Sequence, residues 1–443
     1  MKSSEYINQQ RRDYFIYTLQ SRAIPHAADG FKAGARRVLW VARDGKKRKS
    51  ATLAGECMPI HPHAAPEGAV DALAATYGNN IPLLRGYGAF GTMLKPKAFG
   101  ASRYTSVELS KFAEDVILRD IEVVPMMENY DGTLEEPKHF LPLIPLVLLN
   151  PQEGITGGFA SDILPRAFED IVHSQLQYLS GSGFKQPKPT FKPTDQKAID
   201  CVDGRWQFIG HIEKESAIKY RVTGLPFGLL HEKFIEKLAK LEEVEDSIIT
   251  EVKDASKDNI RISITFKKGS LTGKTENDIL SLLGLVTSYS ENMNVIDFDG
   301  KSVWAPTYAE LVQKFCDWRL GWYKARYERL AKLLGEDIQR HEDVLLVIKK
   351  NFSSILNKFD NRAEMKEYLK ELGIVNLDYI ADLPIYRFTQ EEKEKTEAKL
   401  AEAEKQMKLY KTLLKDEDER RTIFIEELKE VLAKYNKGYY DPH

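Results

Sequence analysis

Hydrophobic and polar positions along the chain follow two periods, and each marks a different kind of element. Near the N-terminus, residues 5–20 carry Tyr6, Ile7, Tyr14, Phe15 and Leu19 at helical spacing. They read equally as an amphipathic arm that packs on a partner or as a helix of its own domain. Short helices are predicted over residues 33–42, 50–57 and 67–77, with a Gly-rich extended stretch after them. That order is similar to a helix-turn-helix domain carrying a wing. Val107, Leu109, Phe112, Val116 and Ile117 suit one helical face, and Thr105 stands three residues before Glu108 as in a capping box. A helix starting at Thr105 is therefore expected, with Tyr104 just outside it. Further on the period drops to two. Ile260, Ile262, Ile264 and Phe266 alternate with polar residues and predict a half-buried strand. Residues 206–212 read as a second strand and 234–241 as a helix. A long helix follows over 307–350, with Leu311, Phe315, Trp318 and Trp322 on one side. A return helix begins at the Thr389–Glu392 capping box and carries Leu400, Ala403, Met407, Tyr410 and Leu414 at heptad spacing. Between them, 351–388 contains Gly373 and Pro384 and forms a knob. Two long helices joined by a knob predict an antiparallel coiled-coil arm, whose tip is a natural dimer contact.

Charge sharpens this picture. The 443-residue chain has a formal net charge of −2. Residues 1–110 hold 16 Lys or Arg against 8 Asp or Glu, a net +8, so the rest carries −10. A local anion-binding surface on the N-terminal part is expected. Three distant cysteines with no C-x-x-C argue for a reducing compartment and no structural zinc. The N-terminus has no apolar h-region, and Leu141–Leu149 is too short to span a membrane. A cytoplasmic protein with no membrane contact is expected.

Three motifs need interpretation. Gly86–Gly91 is a literal G-x-G-x-x-G, but Pro96 and no helical start follow it, so a tight turn is expected rather than a dinucleotide site. Asp297-Phe298-Asp299-Gly300 reads as a hairpin turn rather than a Mg²⁺ site. Arg103-Tyr104 is the third. Free N–H groups and the positive dipole end of a helix beginning at Thr105 would favour a phosphate beside the tyrosine. Tyr104 is thus the candidate nucleophile toward a DNA phosphate.

A set of short pieces, in order, resembles one family. They are Arg22-Ala23-Ile24-Pro25, Asp29-Gly30-Phe31-Lys32 with Arg36-Arg37-Val38-Leu39, and His61-Pro62-His63. Gly88–Gly91, Arg103-Tyr104-Thr105, Asn129–Thr133, Gly154-Ile155 and Asp382–Ile385 follow. From about residue 6 to about residue 435 the chain resembles the breakage-reunion subunit of type IIA DNA topoisomerases, the A subunits of gyrase and topoisomerase IV. The resemblance implies a multidomain α+β fold. It would comprise an N-terminal arm (1–28), a winged-helix DNA-gate domain with the catalytic tyrosine (29–140), an α/β tower domain (141–305), and a coiled coil (306–443) ending in a helical dimerisation knob.

The resemblance also implies roles. Tyr104 would form a 5′-phosphotyrosine, with Arg103 and Arg22 supplying charge and His63 a donor or acceptor at the phosphate. Lys32, Arg36, Arg37 and His61 would grip double-stranded DNA, and Ile155 would wedge between base pairs. On residue type alone, Ile155 reads as an ordinary buried isoleucine. No metal site is expected on this chain. Mg²⁺ and ATP would be held by an ATPase/TOPRIM partner chain, and the protein would homodimerise through the knob. Two departures stand out: Ala64-Ala65-Pro66-Glu67 follows His63 where the family has glycine and an acidic residue, and Ala33-Gly34-Ala35 follows Lys32 where it tends to have proline and histidine. With no wrapping domain after the coiled coil, relaxation and decatenation are expected rather than negative supercoiling. The rival readings are an architectural DNA clamp without catalysis and a coiled-coil scaffold without DNA. The Arg103-Tyr104 pair argues against the first and the +8 region against the second.

Overall fold

A computed structural model describes residues 9–11, 14, 17–62, 66–156, 158–200, 205–257 and 259–441. The chain divides into two compact units, one of residues 1–319 with 425–443 and one of residues 320–424. Among the described residues no helix is long and apolar enough to cross a membrane. Residues 9–11, 14 and 17–18 of the N-terminal stretch are helical, while Tyr6, Ile7 and Phe15 lie outside the described residues. The helical turn Leu19–Ala23 ends that stretch, and Leu19 and Ala23 pack with Ile24 and Ile296.

In the larger unit three helices pack on one another: α1 (Ala33–Ala42), α2 (Ser50–Cys57) and α3 (Pro66–Ala74). Each is short and held by burial of one apolar side: Val38 and Leu39 on α1, Leu53 and Cys57 on α2, Val70 and Ala74 on α3. Proline opens α3, where its missing N–H would have been unpaired anyway. Against them lies a small antiparallel sheet of β1 (Arg48–Lys49), β2 (Leu84–Tyr87) and β3 (Ser106–Leu109), in the order β1-β3-β2. Arg48 pairs with Val107 and Lys49 with Ser106. The helix expected from Thr105 is therefore a strand. Its alternation of half-buried Ser106 and Glu108 with buried Val107 and Leu109 has period two. That short pattern outweighed the longer apolar set, and helical turns resume only at Ala113–Ile117.

The hairpin β4 (Met126–Glu128) and β5 (Glu135–Pro137) turns through Asn129–Thr133, where Asn129 Oδ1 accepts from the N–H of Thr133 and Leu134. The hairpin β6 (Gln152–Thr156) and β7 (Phe159–Ile163) follows. Beyond it, the expected strand over 206–212 is two strands, Trp206–Ile209 and His211–Lys214, separated at Gly210. A Cβ on Gly210 would stand 2.7 Å from the Gly224 carbonyl oxygen. The second of these strands joins a four-stranded antiparallel sheet with Lys219–Gly224, Ile262–Phe266 and Ile249–Asp254. Phe234 and Leu238 of helix His231–Glu242, with Ile279 and Leu283 of helix Glu276–Leu283, cover its apolar face. Residues 297–302 form the expected turn, with Val295–Ile296 paired to Val303–Trp304.

The smaller unit is built on long helices. Residues 308–349 form one helix and 390–415 its return, with Thr389 accepting from the Glu392 N–H as N-cap. Tyr327 of the first helix meets Tyr410 of the return, and Tyr323 meets Phe424 of the last helix, Glu417–Asn436. On the return helix Ala403 is buried as the heptad reading requires, but Leu413 rather than Leu414 turns inward. The knob has its own core of Val344, Val347, Phe352, Leu369, Ile374 and Ile380. The buried Asp343 carboxylate pins it by accepting from the Val375 and Asn376 N–H groups and from Asn376 Nδ2.

Candidate DNA-cleavage site

Tyr104 sits on the turn between Ala101 and Thr105 with its side chain 71% exposed. The Tyr104 N–H donates to the Ala101 carbonyl at 2.8 Å, which closes the turn. The Arg103 guanidinium lies 4.8 Å from the Tyr104 ring centroid. A helix N-terminus does meet this turn, but it belongs to α2. The Ser50 N–H donates to the Thr105 carbonyl and the Ala51 N–H to the Ser102 carbonyl, both at 3.2 Å. These are donors that a helix cannot satisfy internally, and the α2 N-cap, Lys49, makes no capping bond with its own side chain. Three side chains complete the seating. Lys49 Nζ donates to the Tyr104 carbonyl at 3.0 Å, Thr105 Oγ1 to buried Ser50 Oγ at 2.8 Å, and Ser102 Oγ to Glu67 Oε1 at 2.9 Å. The nucleophile candidate is thus exposed at its side chain and held at its backbone.

Arg36 and Arg37, expected to grip DNA, are each paired with a carboxylate. Both are buried. Arg36 Nε donates to Asp29 Oδ2 at 2.7 Å, and its Nη2 bonds Asp29 Oδ1 and the Phe31 carbonyl. Arg37 forms a two-point pair with Glu136 at 2.5 and 3.0 Å. The R-R pair joins α1 to its own surroundings, because a buried guanidinium needs a carboxylate close by. Arg36 holds the Asp29 carboxyl below the usual range against the opposing effect of burial. His61, also expected to grip DNA, is a buried wall residue. Its Nε2 lies 2.8 Å from Tyr17 Oη, and its ring meets Tyr130 edge-on at 5.4 Å. This wall belongs to a cavity of about 550 Å³ that Arg36, Arg37, His26 and His139 also line. His63 lies outside the described residues.

Arg22 is exposed at the end of its helical turn, 5.8 Å above the Tyr17 ring. Lys32 opens α1, and its Nζ donates to the Glu153 carbonyl at 2.6 Å. Burial pushes its pKa down, with Glu153 opposing. This bond ties α1 to β6, whose next residues are Gly154 and Ile155. Ile155 is 87% exposed, the reverse of an ordinary buried isoleucine. A Cβ on Gly154 would stand 1.9 Å from the Ala23 carbonyl oxygen, so only glycine allows this close approach. Lys49, Ser50 and Glu67 were not expected at the site. Lys49 lies in a basic turn visible in the sequence, but its partner is 55 residues away and no local pattern marks the pairing. Among the described residues no group of three or more His, Cys, Asp or Glu is placed to hold a metal.

The sequence model of the family formed by the A subunits of DNA gyrase and topoisomerase IV matches residues 22–429, and the chain belongs to that family. It is 28% identical over 421 residues to the DNA topoisomerase medium subunit of Enterobacteria phage T4, covering 91% of this chain and 93% of that protein. It is 28% identical over 465 residues to the DNA topoisomerase 4 A-subunit of Pseudomonas aeruginosa, with 96% of this chain and 60% of that protein covered. To the DNA gyrase A-subunit of Thermotoga maritima it is 30% identical over 320 residues, which span 64% of this chain and 39% of that protein. The fold is that of the DNA-binding, cleavage and re-ligation domain of Plasmodium falciparum topoisomerase II, with a TM-score of 0.80 at 22% identity. That likeness covers 96% of this chain and 64% of the other.

Proposed function

We propose that the chain is the DNA cleavage and religation subunit of an ATP-dependent type II topoisomerase, with Tyr104 as nucleophile. The observation that carries this reading is an exposed tyrosine beside Arg103, on a turn held by Lys49 and the α2 N-terminus, in a chain of this family. Tyr104 Oη loses its proton and forms a bond to phosphorus. The bond from phosphorus to the 3′ oxygen breaks, and that oxygen leaves as a hydroxyl. The reverse step reseals the strand, so the phosphotyrosine ester conserves the energy of the broken linkage. A phenol with pKa near ~10 is a weak nucleophile at pH 7 and needs charge nearby. Arg103 supplies it in this chain, and Arg22 and His63 complete the site in the same reading. With Arg36 and Arg37 engaged with carboxylates and Lys49 with the Tyr104 carbonyl, the phosphate contacts fall to Lys32 and to the exposed cations Lys46 and Lys47 near the tyrosine turn. Ile155 is the wedge that bends the duplex.

In this reading 29–140 is a winged-helix domain, 141–305 the tower, and the antiparallel helices of 306–443 a coiled coil whose knob joins two copies. Mg²⁺ and ATP reside on an ATPase/TOPRIM partner. The described residues of this chain offer no donor set for the metal, and no step here runs through it. Wild type and Tyr104→Phe, each mixed with the partner, Mg²⁺ and end-labelled DNA, are quenched with detergent. Wild type alone is expected to retain protein on the 5′ ends. Equal trapping by the variant removes Tyr104 from the role. Tight DNA binding with no trapping by either protein makes the chain an architectural clamp.

A further inference from the structure

The contacts beneath the tyrosine turn form a latch that sets the position of the nucleophile. We propose that Lys49 is a positioning residue of the cleavage reaction, acting through the Tyr104 backbone, and that Ser50 and Thr105 form the buried half of the same device. This rests on the assignment of Tyr104 as nucleophile.

The turn from Ala101 to Thr105 has three carbonyls that face α2 and its N-cap. Those of Ser102 and Thr105 receive the first two N–H groups of the helix, and that of Tyr104 receives the Lys49 ammonium. Lys49 is paired in register with Ser106 on β3, so its stem starts from a fixed strand position directly beside the turn. Its neighbour Arg48 serves another purpose: it bonds the Asp44 and Glu56 carboxylates. Thr105 is 2% exposed and Ser50 1%, so their hydroxyl pair is dry. Carbons built on Gly88 and Gly100 would lie 3.3 and 3.0 Å from Thr105 Cγ2, so the threonine methyl is enclosed on both sides. Thr105 therefore cannot shift without opening the core. Tyr104 is held from the Thr105 side by packing and from its own carbonyl by a single charged bond. Lys49 is the exposed member of this device, so it can be changed while the fold stays intact.

A positioning group acts equally on the forward and reverse directions, because both pass through the same transition state. Loss of Lys49 therefore slows cleavage and religation together and leaves the cleaved fraction at equilibrium unchanged. A cation that stabilised the phosphotyrosine product would instead shift that fraction, and one that only held DNA would raise the DNA concentration needed. A small misplacement of a reacting atom typically lowers rate by one to two decades. The test uses the full complex with its ATPase/TOPRIM partner, on a nicked oligonucleotide substrate. Wild type, Lys49→Met and Lys49→Arg are compared for thermal midpoint, DNA affinity, single-turnover cleavage at saturating DNA, and religation. Lys49→Met is expected to fold normally, to bind DNA within about twofold of wild type, and to cleave and religate about tenfold more slowly. Lys49→Arg, which keeps a donor of the same charge, recovers most of the rate. A shifted cleaved fraction, full rescue by excess DNA, or wild-type rates in Lys49→Met each overturn the latch. If wild type itself forms no covalent complex, the assignment of Tyr104 fails instead.

Discussion

His26 shows at the scale of single residues how burial writes a pH dependence into this fold. Burial takes its pKa down to about 4, with Asp29 and Asp297 opposing and Arg36 and His139 adding to the shift. The unfolded chain takes up this proton near 6.5 and the folded chain only near 4. Stability is then full above pH 6.5 and falls as the pH drops toward 4, by about 3 kcal/mol at most for this one group. His139 is lowered in the same direction. Urea unfolding between pH 4 and 7 is expected to show this slope. His26→Asn, which keeps an acceptor for the Ala28 N–H, should flatten part of it. The same residues explain what the sequence could and could not display. Tyr104 and Arg103 stand out in the sequence because a motif of adjacent residues carries them. For Arg36 and Arg37 the sequence displays the charge and not the pairing. Their carboxylates lie 7 and 99 residues away.

Among the elements, the short helices and the long ones were legible because their apolar spacing runs over several turns. The strand at Ser106–Leu109 was not, since four residues of period two are contained in many helical patterns. The hairpin that carries Ile155 was half legible. Its glycines were evident, and the exposure of Ile155 came only with the Ala23 carbonyl lying where a Cβ on Gly154 would be. Gly154→Ala must push β6 off the Leu19–Ala23 turn. A loss of about 1–3 kcal/mol is expected from such overpacking, measured as a fall in unfolding midpoint. Ile155→Ala, by contrast, removes an exposed side chain and should leave the midpoint unchanged. DNA bending, read by energy transfer between end labels, should fall in both.

Taken as a whole molecule, the chain divides its tasks between two compact units. The larger carries Tyr104 and Ile155. The smaller exposes Val375, Ile385 and Tyr386 at 65, 71 and 62% on the knob, although a filled core lies beneath them. Such residues are expected where a second copy covers them. Ile385→Glu is therefore expected to convert dimers to monomers in sedimentation velocity with the helical content preserved. Unchanged dimers would move the contact off this surface. The seating of the tyrosine turn has a last consequence, which concerns how the protein can change over generations. Ser102 and Thr105 cap α2 with their main-chain oxygens, and the same turn carries Tyr104, the proposed nucleophile. A variant in this stretch is screened for folding and for chemistry at once. Drift is narrowed most at Ser102 and Thr105, whose hydroxyls are themselves bonded within the fold.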